Sequence, residues 1–140
     1  MHRFVFSSRA AQPYGRMEIK ALCEQSALRN AAGGITGLFL YDGARFLQAL
    51  EGPDIPLFAT IDRISRDPRH YDMTTIQSKT IGEREFHNWS MSQPLFGIGD
   101  DPGAYVARIV HDVRHVADAY IRAQFIGFAS LARNARYRYE

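Results

Sequence analysis

The sequence predicts an α+β fold built on one antiparallel sheet, and three observations carry that prediction. Apolar runs of strand length alternate with stretches of helical spacing in the order strand, helix, strand, strand, helix, strand. Asp42-Gly43 stands between two of those runs, a tight-hairpin signal that makes the second and third strands antiparallel neighbours. Asp67-Pro68 closes the second helical stretch, because proline disfavours a helical predecessor. This order is the ferredoxin-like βαββαβ arrangement, here with an extra fifth strand.

Each element has its own signature. Arg3 to Ser8 is an apolar, aromatic first strand, and Gln12-Pro13-Tyr14-Gly15 breaks the chain before the first helix. From Glu18 to Ala31 the residues Ile19, Leu22, Cys23, Ser26, Ala27 and Asn30 recur on one helix face. Ile35 to Tyr41 and Ala44 to Glu51 form the hairpin, and Gly52-Pro53-Asp54 opens a second helix with Leu57, Phe58, Ile61 and Ile64 on one side. A fourth strand is expected near Thr74 to Ile81 and a fifth from Asn88 to Pro94, with Trp89 and Met91 on one side of its pleat.

Both helices of this arrangement lie on one sheet face, which leaves the other bare. The expected cover is a helix from Ala104 to Phe125, whose stripe is Val106, Ile109, Val110, Val113, Val116, Ala117 and Tyr120, with a second short helix around Phe128 to Arg136. The chain thus divides into residues 1–97, the sheet and its two helices, and residues 98–140, a C-terminal helical cap packed on the sheet.

Composition narrows the function classes. The 140 residues are one domain's worth, and the single cysteine, Cys23, excludes an internal disulfide; its place on the inward stripe makes it a small core residue. No apolar run approaches the roughly 20 residues that span a bilayer, and Met1-His2-Arg3-Phe4-Val5 lacks signal-peptide architecture, so a soluble cytoplasmic protein is expected. Seventeen Lys and Arg against fifteen Asp and Glu is too mild a balance to imply nucleic acid or membrane binding. Arg133, Arg136 and Arg138, interleaved with Tyr137 and Tyr139, read as a solvated tail. His111-Asp112-Val113-Arg114-His115 imitates a zinc-protease helix, but both histidines fall opposite the apolar stripe, beside Arg108 and Arg122, and no metal is expected.

Two amides stand where the pattern calls for apolar side chains. Asn30 points the same way as Leu22 along the first helix, and Gln48 shares a strand side with Phe46 and Leu50. A carboxamide left unpaired in a core costs about 1–3 kcal/mol. Each has a structural explanation, since Asn30 suits a helix end and Gln48 could satisfy a neighbouring backbone group. Together they suit a flat ligand with alternating donors and acceptors.

The local strings Ser26-x-x-x-Asn30-Ala31, Gly34-Ile35-Thr36-Gly37-Leu38, Phe46-Leu47-Gln48-x-Leu50-Glu51-Gly52-Pro53, Arg66-Asp67-Pro68-Arg69-His70 and Trp89-Ser90-Met91 resemble the BLUF domains, sensors of blue light using FAD, over residues 2–95. The resemblance implies an oxidised flavin between the two helices, FAD with FMN or riboflavin as possible occupants, and two C-terminal helices on the opposite face. It implies that Asn30 contacts the flavin C4 carbonyl and N3 proton, that Gln48 is the switch near N5, and that Arg63 meets the C2 carbonyl. Ile64 would pack on the ring, Asp67 and His70 would approach the ribityl side, and Ser26 would support Asn30. Trp89 and Met91 match a fifth-strand pair associated with signal output, with ordinary core packing as the competing explanation.

The chain departs from the family at Phe6, where members carry a tyrosine that bonds the glutamine and gives an electron and a proton to the excited flavin. Tyr14 and Tyr41 fall at other positions. The resemblance therefore implies a blue-light receptor with an impaired photocycle, not an enzyme, signalling through a downstream protein partner or its own homo-oligomer. A light-insensitive flavin-binding redox or scaffold module is the second reading, and a small flavin-dependent enzyme the third.

Overall fold

The computed structural model describes residues 1–87 and 102–139. Its elements are β1 (His2–Ala10), α1 (Arg16–Gly33), β2 (Thr36–Tyr41), β3 (Arg45–Gly52), α2 (Asp54–Ser65), β4 (His70–Thr80), α3 (Pro102–Asp112) and α4 (Ala119–Tyr139). The four strands form one antiparallel sheet in the order β2-β3-β1-β4, the expected ferredoxin-like connectivity. The predicted fifth strand, with Trp89 and Met91, lies outside the described residues, as does the boundary at 97/98.

Alternation along the strands splits the interior into two cores. Phe4, Phe6, Phe39, Phe46 and Leu50 face Ile19 and Cys23 of α1 and Leu57 of α2. Val5, Leu40, Leu47 and Ala49 face the other way, onto Ile109, Val113, Val116, Ile121 and Phe125. Gly37 permits the close approach of β2 to β3, since a side chain there would drive a Cβ to 1.9 Å from the Ala49 carbonyl.

The ends of α1 remove one explanation for Asn30. Glu18 accepts the Gly15 N–H at 3.2 Å at the start, and Gly34, at φ 69°, closes the end in the left-handed conformation. Ile35 N–H then donates to the Asn30 carbonyl at 2.8 Å. Asn30 is therefore inside the helix, three residues before its last residue, rather than its cap.

Three sequence expectations need correction. The C-terminal cap is two helices broken at residues 113–118, not one helix to Phe125 followed by a short one. Asp118 accounts for the restart: its Oδ1 accepts the N–H groups of Tyr120 and Ile121, at 2.9 and 3.3 Å, in the manner of an N-cap. Of the expected stripe, Val110 on α3 and Ala117 and Tyr120 beyond it are exposed. The break also separates His111, in the last turn of α3, from His115, beyond its end, so the metalloprotease-like spacing is not on one helix. On α2, Phe58 is 47% exposed against the His2 ring, and Thr60 takes the inward place beside Leu57. Finally, β4 starts at His70 rather than Thr74, because Ala10 extends the pairing back to it.

Candidate functional site

A cleft open to solvent lies between α1 and α2 above the sheet. The sheet supplies its floor: Phe6 and Ser8 from β1, Phe39 from β2, Phe46 and Gln48 from β3, and His70 at the start of β4. Helix α1 contributes Leu22, Ser26, Arg29 and Asn30, and α2 contributes Thr60, Arg63 and Ile64, with Asp67 and Arg69 following it. The cleft thus gathers Phe6, Ser26, Asn30, Gln48, Arg63, Ile64, Asp67 and His70, all singled out from the sequence, from segments spread over much of the described chain. Trp89 and Met91 lie outside the described residues.

Strand register sets the floor. Phe6 pairs with Gln48 and Ser8 with Phe46 across β1 and β3, so the four side chains share one face. Opposite them β4 takes one extra residue between the partners of Val5 and Phe6, and another between those of Ser7 and Arg9. The second irregularity coincides with Asp72, a non-glycine residue at φ 53°. Bulges of this kind bend a strand and re-aim nearby side chains.

Polar groups within the cleft fall into two kinds. Some are held by neighbours: Arg69 donates to both Asp67 oxygens, with Nη2 at 2.5 Å from Oδ2, and these hydrogen bonds hold the Asp67 carboxyl below its ordinary range. His70 Nε2 lies 2.6 Å from the Ile64 carbonyl oxygen, which orients the ring against Phe6 and Phe46. Asn30 and Gln48, which also have interactions in this structure, sit deep on the floor and wall with Ser8. Asn30 and Gln48 are 2% and 4% exposed, and Ser8, 3% exposed, has a buried hydroxyl without a protein partner.

Neither nearby tyrosine substitutes for a phenol at Phe6. Tyr41 stacks on Phe46 at 4.8 Å, but its hydroxyl accepts the Tyr14 N–H at 2.8 Å, and Tyr14 donates its own hydroxyl to the Arg69 carbonyl at 2.9 Å. Burial raises the pKa of both phenols, and neither lines the cleft. Cys23 is fully buried with its thiol pushed up to about 12 by desolvation, which makes it a core residue and a poor nucleophile.

Sequence reasoning missed Ser8, Leu22 as a wall residue, Arg29, Phe39, Phe46, Thr60 and Arg69. Ser8 was signalled by its alternation with Phe4 and Phe6, and Arg29 only by adjacency to Asn30. Aromatic and aliphatic walls and two inward carboxamides fit a flat heteroaromatic ring carrying both donors and acceptors.

Comparison with known proteins points the same way. The family model for BLUF, sensors of blue-light using FAD, matches residues 1–92. The photoactivated adenylate cyclase subunit beta of Euglena gracilis is 34% identical over 88 residues, covering 62% of this chain and 10% of that protein. The blue light- and temperature-regulated antirepressor BluF of Escherichia coli (strain K12) is 34% identical over 58 residues, 41% of this chain and 14% of that protein. The chain therefore spans only about a tenth of the length of the cyclase subunit it matches. Among solved structures, Klebsiella pneumoniae BlrP1 in a calcium/cyclic-diGMP complex aligns with TM-score 0.72 and 26% identity, over 90% of this chain and 34% of that one. The dark-state structure of the BLUF protein BlrB shares the fold at TM-score 0.68 and 23% identity, over 95% of this chain and 96% of that one. A family match running from Met1 through β4, on a fold whose two helices wall a cleft with two buried amides, makes this chain a member of the BLUF family of blue-light sensors.

Proposed function

We propose that this chain holds a flavin between α1 and α2 and serves as a blue-light sensing module whose photocycle is impaired by Phe6. The observation that carries the reading is the convergence of Asn30 and Gln48, both buried, on one cleft. A bound oxidised flavin would supply blue-light absorption and an electron-accepting ring.

The residues divide the work. Asn30 offers a carboxamide whose donor and acceptor match the flavin's C4 carbonyl and N3 proton, with Ser26 one helical turn before it. Gln48 faces the N5 side, and turning its amide exchanges a donor for an acceptor at the same place. Ile64 would pack on the ring, Arg63 would reach the C2 carbonyl, and Asp67 and His70 would meet the ribityl side. Arg29 and Arg63 place positive charge at the cleft rim, which suits the phosphates of FAD or FMN over uncharged riboflavin. Phe6 gives Gln48 no hydrogen bond and the ring no proton, so the light-driven rearrangement loses its usual donor. Trp89 and Met91 are the proposed output pair.

The sensor would act without chemistry of its own, through a cytoplasmic protein partner or through self-association along the exposed Val110, Tyr120 and Leu131 of the C-terminal helices. Phe6 also favours the second reading, a light-insensitive redox or scaffold module. The enzyme reading is weaker, because the carboxylate that lines the cleft, Asp67, is clasped by Arg69.

Blue-light difference spectra on the purified chain and on Phe6→Tyr test the reading. The expected outcome is a yellow protein with an absent or very short-lived red shift, and a reversible red shift in Phe6→Tyr. A long-lived red shift with Phe6 in place refutes the donor argument. A Phe6→Tyr protein that stays blind favours the redox or scaffold module, bleaching by an added reductant substrate favours the enzyme, and a colourless protein refutes flavin binding.

A further inference from the structure

Ser8 holds a polar group that the reading above leaves unused. Among the described residues, two buried side-chain polar atoms are without a hydrogen-bond partner, Ser8 Oγ and Tyr105 Oη, and Ser8 is the one whose residue lines the cleft. A hydroxyl carries one donor and two acceptor sites, and the interior penalises leaving them unmet. The hydroxyl is shielded from solvent, so a side chain able to turn toward it is the partner to look for.

The surroundings narrow the choice. Ser8 pairs across β1 and β3 with Phe46, and Phe6 pairs with Gln48, so Gln48 is the diagonal neighbour of Ser8 on one face. Diagonal neighbours stand about 7–8 Å apart at Cα and closer at Cβ, within the span of a glutamine side chain. Phe6 and Phe46 offer no hydrogen-bonding group, and Nε2 of the nearby His70 ring is taken up by the Ile64 carbonyl, which leaves its Nδ1 and the Gln48 amide as the polar groups to weigh. Gln48 already has an interaction in this structure, so a bond to Ser8 belongs to a second orientation of its amide.

Resting on the flavin reading above, we propose that Ser8 is a positioning residue for Gln48: its buried hydroxyl is the hydrogen-bond partner that the Gln48 carboxamide takes up when it turns within the cleft, where Phe6 offers none. In that orientation the amide NH2 donates to Ser8 Oγ, or the hydroxyl donates to the amide oxygen. Either bond fixes which end of the amide the ligand meets, without Ser8 touching the ligand.

A two-residue cycle tests this through the absorption spectrum of the bound flavin, which a purely structural serine would not move. Ser8→Ala, Gln48→Leu and the double variant are compared with the unmodified chain, all loaded with FAD, in the oxidised state and after chemical reduction. The expected result is a displaced visible band for Ser8→Ala in the Gln48 protein, and no displacement by the same change in the Gln48→Leu background. Unfolding of the flavin-free protein should not be weakened by Ser8→Ala, because the change removes an unpaired buried hydroxyl. A displacement of equal size in both backgrounds means that Ser8 meets the flavin directly and overturns the proposal, as does no displacement in either oxidation state. If FAD binds to none of the four proteins, the reading of the cleft fails first and the proposal with it.

Discussion

The Arg3–Glu51 cluster on one face of the sheet and the cleft on the other bury polar side chains in different ways. On the face covered by α3 and α4, Arg3 and Glu51 are 1% and 0% exposed and pair directly across β1 and β3 at 3.1 Å. Arg3 also reaches Glu85 at 2.8 Å and Gln77 at 2.8 Å, Glu51 accepts the N–H groups of Glu85 and Phe86 at 2.8 Å each, and Gln77 donates to Asp118 at 2.9 Å. On the cleft face, Ser8 has no partner, and the buried amides of Asn30 and Gln48, each with an interaction of its own, line the cleft. A saturated network holds a fold together, whereas polar groups turned toward a cavity are arranged for something that enters it.

The largest expected effect lies on the saturated side. Glu51→Leu strips Arg3 of one carboxylate and leaves two backbone N–H groups without their acceptor, which should cost about 3–5 kcal/mol in urea unfolding. Adding Arg3→Met should not recover that loss, since Glu85 then loses its guanidinium partner and the two N–H groups stay unmet. A Glu51→Leu protein as stable as the parent would break the contrast.

Asn30→Ala tests the open side. It should weaken flavin retention by about 1–3 kcal/mol, the range for leaving a buried polar group unmet. Equal flavin occupancy after gel filtration would sink the proposed uracil-edge contact, and a large loss of apo stability would place Asn30 with the structural network instead.

Asp118→Ala should give the smallest change, about 1 kcal/mol for a lost helix cap, with the flavin spectrum unaltered. Hydrogen bonds from Gln77 and from the first N–H groups of α4 hold the Asp118 carboxyl below its ordinary value of 3.8, despite an opposing effect of burial. A depressed carboxylate stabilises the fold fully above the unfolded value, and that contribution is lost as pH falls through the folded one. Melting curves of parent and variant should therefore converge as pH drops below about 4. Curves that stay parallel across that range would show that the Asp118 charge contributes nothing to the docking of α4.

Much of this contrast was legible in the sequence. Alternation in Arg45–Gly52 turned Gln48 inward with Phe46 and Leu50, and helical spacing in Arg16–Gly33 turned Asn30 inward with Ile19 and Cys23. The break between α3 and α4 was hidden because Val113 and Val116 continue the apolar stripe across it while Asp118 restarts the helix. Phe58 was misplaced for a related reason: it sits about 100° around α2 from Leu57, a displacement that hydrophobicity alone does not reveal. Arg3 gave no sign of burial, since an arginine near the N-terminus reads as exposed unless its partners are known.

The sequence by itself determined the order of the first six elements and the inward direction of both amides. These depend on periodicities of two and 3.6 residues, which are local properties of the backbone. Only the tertiary structure decided that Arg3 would meet Glu51 and Glu85, that the cover would be two helices, and that Ser8 would be left without a partner. Those outcomes depend on which polar groups from distant segments come within hydrogen-bond reach, and sequence spacing does not encode that distance.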